Sequence, residues 1–161
     1  MELLWKVPCM KDFEMFAETD CVKKQPPDYN LANSLLDDSV KRMKYARLSK
    51  LTEENAKYIY ENIYESLREA ADAILAINGF KSFSHEATIS FLQKFKEFSA
   101  EEISDFGRMR KKRNGMKYYG RYCSVEDAKE AAEVAEKLLK KVIEFARSLI
   151  VKQGINTGNN R

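Results

Sequence analysis

The sequence predicts an all-α domain: an antiparallel up-and-down bundle of four to five helices behind an irregular N-terminal arm. Three observations predict it. Six glycines and three prolines are few for 161 residues, so the chain makes long elements and few turns. Apolar residues recur at spacings of three and four over several windows, which marks one buried helix face. Helix start and stop signals separate those windows.

Residues 1–30 are the least regular and read as the arm, with a short helix expected from Met10 to Ala17 and a break at Pro26-Pro27-Asp28. Residues 31–151 read as the bundle. Its first helix is expected from about Leu31 to Leu48, with Leu36, Val40, Met43 and Ala46 on one stripe. The second begins near Thr52, followed by Glu53 and Glu54 at the positive end of the helix dipole. It carries Ile59, Ile63, Leu67, Ala70, Ile74 and Ile77 and stops at Asn78-Gly79.

Ser84 is the expected cap of a shorter helix bearing Ile89, Leu92 and Phe95. Ser99 and Glu102 form a capping box that opens the next helix, expected to run toward Arg113 with Gly115 and Gly120 bracketing its exit. The last helix starts after Ser124, with Asp127 three residues on. Its stripe of Ala128, Ala131, Ala135, Leu138, Val142, Phe145 and Leu149 has the period of near-parallel helix packing. Residues 152–161, rich in Gly and Asn, read as a flexible tail.

A net charge of +3 is a weak excess, but its distribution is uneven. No acidic residue lies between Asp105 and Glu126, whereas Arg108, Arg110, Lys111, Lys112, Arg113, Lys117 and Arg121 all do. Such a patch favours phosphate-bearing partners, although a solvated helix face has the same composition. Three scattered cysteines and one histidine provide neither a disulfide framework nor a transition-metal set, and the glycines are too sparse for a phosphate-cradling loop. No cofactor or metal is therefore expected. The N-terminus carries an early acid and no long apolar run, and no window reaches 18 apolar residues. The expected setting is the reducing cytoplasm, away from membranes.

One stretch breaks the local rules. Phe106, Met109, Arg113 and Met116 share a stripe, so Arg113 points where an apolar residue belongs. It then needs a carboxylate, a route to solvent or a cleft. Asn114, Gly115, Met116, Lys117, Tyr118, Tyr119, Gly120, Arg121 and Tyr122 follow. Tyrosines interleaved with cations offer stacking faces and phosphate donors together, the combination used on single-stranded RNA or a nucleotide.

In this order of elements the chain resembles the HEPN family (higher eukaryotes and prokaryotes nucleotide-binding domains) over roughly residues 31–150. The segments that carry the resemblance are DDSVKRMKYARL, TEENAKYIYENIYESLREAADAILAINGF, SHEATISFL, MRKKRNGMKYY and SVEDAKEAAEVAEKLLKKVIEFA. RNA-cleaving members carry an arginine, four to six residues, then a histidine. Arg113 matches the arginine and Asn114 the polar residue that often follows it, but Tyr118 and Tyr119 stand where the histidine belongs. An unperturbed tyrosine titrates near pH 10 and is a poor base at neutral pH.

The resemblance therefore implies a homodimer that binds RNA or a nucleotide, weak or inactive in catalysis, working beside a nucleotidyltransferase as in toxin–antitoxin-like pairs. Arg110, Arg113, Asn114, Lys117, Tyr118, Tyr119 and Arg121 form its expected binding set. Two other classes compete. One is an atypical metal-independent endoribonuclease using Arg113, Tyr118 and Tyr119. The other is a helical protein-interaction module with no nucleic-acid role. His85, the only histidine, reads as a capping or surface residue.

Overall fold

In a computed structural model of the chain, residues 11–158 are described. Six helices and a two-stranded ribbon follow one another: α1 Phe13–Ala17, β1 Val22–Lys24, α2 Tyr29–Leu48, α3 Ala56–Ile77, β2 Phe80–Ser82, α4 His85–Leu92, α5 Ala100–Tyr119 and α6 Val125–Gly158. The fold is all-α, as the sequence predicts. Among the described residues no helix is long and apolar enough to cross a membrane.

The four long helices alternate in direction. Ser39 lies against Ser66, and Asp28 against Ala76, so α2 and α3 are antiparallel. Glu102 meets Lys141, and Lys112 meets Asp127, so α5 and α6 are antiparallel too. The short α4 lies in the connection between α3 and α5. α3 is central, burying Ile59, Ile63, Leu67, Ala70, Ile74 and Ile77, the stripe expected of it.

Local chemistry sets most of the boundaries. Asp28 caps α2 by accepting from the Leu31 amide at 2.9 Å. Ser99 and Glu102 close both arms of their capping box, and Ser124 and Asp127 exchange the same pair of bonds at the start of α6. At Gly79 the backbone turns left-handed (φ +78°), and a Cβ there would lie 2.7 Å from the Gln25 carbonyl oxygen.

Several sequence expectations need correction. Val40 is 44% exposed, and Ser39 takes its place in the buried stripe of α2. The Ser39 hydroxyl donates to Leu36, and its carbonyl receives the Ser66 hydroxyl at 2.7 Å, so two small residues let the helices approach closely. Thr52 does not cap α3. It forms a turn with Asn55, whose side chain accepts the Thr52 amide at 2.8 Å, and α3 starts at Ala56. Phe95 lies beyond the end of α4. α5 does not stop near Arg113. It runs through Gly115 to Tyr119 and closes at Gly120 (φ +61°), where the Arg121 amide bonds back to the Gly115 carbonyl at 3.1 Å.

The arm packs on the core through Phe13, Phe16 and Val22. Phe13 meets Phe91 with ring centroids 4.6 Å apart. The antiparallel ribbon of β1 and β2, with Val22 opposite Ser82 and Lys24 opposite Phe80, was not foreseen. Met10 of the expected Met10–Ala17 helix and residues 159–161 of the expected tail lie outside the described residues; Lys11 and Asp12 precede α1, which starts at Phe13, and α6 itself continues to Gly158.

Candidate functional site

α5 turns one charged row toward α3 and ends in an exposed, aromatic tip. The row begins with Arg113, which is only 6% exposed. Its guanidinium donates from Nη2 to Glu65 at 3.0 Å, lies 3.4 Å from Glu61, and reaches Asn114 from Nη1 at 3.3 Å. It also lies over the Tyr64 ring, 5.8 Å from the centroid. Lys117 shares Glu61 at 3.4 Å. Arg68 continues the row, donating to Glu65 and to Asp72 at 2.7 Å each. Asp72 in turn accepts the Thr88 hydroxyl at 2.8 Å. The row thus alternates in sign across α5 and α3 and ends on a neutral hydroxyl of α4.

His85 belongs to the same neighbourhood. Its Nδ1 shares a 3.0 Å hydrogen bond with the hydroxyl of Tyr64, beneath the Arg113 guanidinium. Burial, and then the charge of Arg68, hold the imidazole below its ordinary pKa, with Arg113 and Arg110 adding to the effect and Glu65 opposing it. Burial also raises Tyr64 above the ordinary tyrosine range, so the phenol keeps its proton. Arg110 faces Glu86 at 3.7 Å, beyond hydrogen-bond length. The Nε atoms of both Arg110 and Arg113 are buried with no acceptor among the described residues.

Asp72 provides a pH reading of this row. Burial raises its carboxyl to about 6, against the pull of Arg68 and Thr88. Its folded pKa lies above the value of about 3.9 in an unfolded chain, so between about pH 4 and 6 the folded state holds the extra proton. The contribution of Asp72 to stability is full below that window and falls as pH rises through it. We expect the melting temperature of Asp72→Asn, relative to the parent, to be more favourable at pH 7 than at pH 4.5. A difference that stays constant across this range would contradict the buried-acid assignment.

At the tip, Tyr118 is 65% exposed, Tyr119 78% and Tyr122 72%. Tyr122 donates its hydroxyl to Glu53, while no hydrogen bond holds the other two among the described residues. Arg121 folds back over Gly115, where an added Cβ would meet its Cδ at 2.9 Å. Gly115 thus seats an arginine of the chain itself. Within the basic stretch, Arg108 pairs with Asp105, Lys112 with Asp127, and Arg110, Arg113 and Lys117 with the acids named above. Only Lys111 and Arg121 lack an ion-pair partner among the described residues, and both are exposed.

The structure therefore divides the expected binding set. Arg110, Arg113, Asn114 and Lys117 lie along the α3 side, whereas Tyr118, Tyr119 and Arg121 lie at the tip. Because α5 stays helical, Tyr118 is about 140° around the axis from Arg113 and Tyr119 about 120° the other way, at about 100° per residue. Neither tyrosine stands beside Arg113. Arg113 does not line an open cleft in the single chain, because two glutamates hold it under cover. A separate recess between α5 and α6, lined by Tyr60, Met109, Lys112 and Asp127, lies on another face of α5. Sequence reasoning missed Glu61, Glu65, Arg68 and Asp72. Their spacings of four, three and four on α3 were a legible signal of a charged row beside the apolar one.

No protein-family model matches the chain, and no curated protein shows significant similarity to it.

Proposed function

We propose that this chain is a HEPN-like dimeric protein that binds RNA or a nucleotide through the α5 tip, with little or no catalysis of its own. The observation that carries this reading is the exposure of Tyr118, Tyr119 and Tyr122 at the tip with Arg121, which has no ion-pair partner among the described residues, while the equally unpaired Lys111 lies about two turns back along α5. Large aromatic rings left in solvent at a helix end serve no packing purpose, and stacking on bases gives them one. The ion pairs of Arg113 move the contact outward from the arginine to the tyrosines. A nucleotidyltransferase is the protein partner that the resemblance implies.

Fluorescence anisotropy of labelled single-stranded RNA across a salt series tests the proposal. Single strands release counterions with a slope of about −0.7 per neutralised phosphate, so Lys111 and Arg121 together give a slope of about −1.4 in log K against log salt. Light scattering on the same sample should give about twice the 18.7 kDa chain mass. No retention of RNA or nucleotide even at low salt would overturn the reading in favour of a protein-docking module.

The Tyr64–His85 hydrogen bond beneath Arg113 favours one second reading, an atypical metal-independent ribonuclease in which His85 moves the proton that Tyr118 and Tyr119 are badly placed to move. Cleavage of single-stranded RNA in the presence of a chelator, abolished by His85→Ala, would establish it. Absence of cleavage would dismiss it.

A further inference from the structure

We infer that Arg110 and His85 form a recessed seat for a phosphate group, held in the free protein by the carboxylate of Glu86. The inference rests on the reading above that the ligand carries phosphate, but not on the tyrosine tip.

Arg110 is the exception among the half-buried arginines. Arg42 grips Glu69 through two hydrogen bonds of 2.6 and 3.0 Å, and Arg68 makes two of 2.7 Å. Arg110 makes none among the described residues. Its side chain is 19% exposed, its nearest acid is Glu86 at 3.7 Å, and its Nε is buried and unpaired. A guanidinium presents five donors in a fixed fork, and leaving them idle under cover is costly unless something else takes them up.

The adjoining groups decide what that is. His85, next to Glu86 in the first turn of α4, uses Nδ1 on Tyr64 and has no partner on Nε2 among the described residues. When the Tyr64 hydroxyl donates to Nδ1, the ring hydrogen lies on Nε2, an unused donor on the residue next to Glu86, the acid that Arg110 faces. The remaining charges facing this corner are Glu65, Arg68 and Arg113, and these pair with one another at 2.7 and 3.0 Å, which leaves Arg113 only its buried Nε unused. Besides that Nε, the idle donors among the described residues at this corner are the guanidinium of Arg110 and the Nε2 of His85. Glu86 is a tethered anion set too far away for a hydrogen bond. A phosphate carries more charge and three acceptor oxygens, enough for the fork of Arg110 and for His85 together. Displacing Glu86 exchanges one anion for a better one and leaves the Arg113–Glu65–Arg68 row intact.

His85 is the only histidine, so its ring signals in an NMR spectrum need no assignment. The experiment titrates the full chain with inorganic phosphate, then with a nucleoside 5′-monophosphate and the matching nucleoside, each against sodium chloride of equal ionic strength. Phosphate and the monophosphate should shift the His85 signals to saturation at millimolar concentration and raise the midpoint of the imidazole titration; the nucleoside should do neither. Arg110→Gln should abolish saturation, and Glu86→Gln should tighten phosphate several-fold by removing its competitor. A His85 signal that ignores phosphate, that saturates equally in Arg110→Gln, or that responds identically in Glu86→Gln would overturn the inference. Replacing Tyr118 and Tyr119 with alanine should leave the phosphate response in place. A phosphate response without RNA retention therefore defeats the tip and spares the seat, and the reverse result does the opposite.

Discussion

Tyr118→Ala combined with Tyr119→Ala will reduce retention of single-stranded RNA at least thirtyfold and leave the melting temperature nearly unchanged. A base stacked on an aromatic side chain contributes about 1–3 kcal/mol, so losing two such platforms costs about 2–6 kcal/mol of binding. Stability should not follow, because both rings lie mostly in solvent and neither is hydrogen-bonded among the described residues. Phenylalanine at both positions should keep most of the affinity, since stacking needs the ring and not the hydroxyl. Anisotropy and thermal melts on the three proteins separate the contributions. Equal affinity in the alanine and parent proteins would remove the tip from the site.

Arg113→Ala has the second large effect, and it falls on folding. The guanidinium is buried against Glu65, Glu61 and the face of Tyr64, and removing one partner of such a cluster costs about 3–5 kcal/mol when the others are stranded. Here the loss should lie at or just below the lower end of that range, because Glu65 keeps Arg68 and Glu61 keeps Lys117. Lysine should restore little, as a point charge cannot bridge the two glutamates and stack on the tyrosine together. Urea unfolding measures the loss, and RNA affinity corrected for the folded fraction should stay close to that of the parent. A drop in corrected affinity with stability unchanged would restore Arg113 as the phosphate contact.

Signals that act within one turn of chain were legible in the sequence. The paired serine and carboxylate at Ser99–Glu102 and Ser124–Asp127 cap their helices because both partners lie three residues apart. The inward face of Arg113 was equally legible, because the stripe of Phe106, Met109 and Met116 fixes it. What those residues meet was not. That Arg113 finds Glu65 and Glu61 depends on how α5 crosses α3, and nothing in the α5 sequence encodes that crossing. Ser39 replaced Val40 in the core because Ser66 waits opposite, a fact of the other helix. Gly115 reads as a helix breaker, and it stays helical because Met116 beyond it is buried and Arg121 returns to cover it. That extra length carried Tyr118 and Tyr119 away from Arg113. The ribbon joins two three-residue segments too short to show alternation and far apart in the chain.

That ribbon has a mechanical consequence. β1 precedes α2 and β2 follows α3, so their pairing ties the α2–α3 hairpin at its open end, while the turn built on Thr52 and Asn55 ties it at the other. The two helices become a closed frame that cannot splay. Among the described residues α5 has no such second tie through a paired strand. It is held by its connections to α4 and α6 and by side-chain contacts with α3, α4 and α6. The helix that carries both the tyrosine tip and Arg110 is thus held to that frame by side chains and not by backbone pairing.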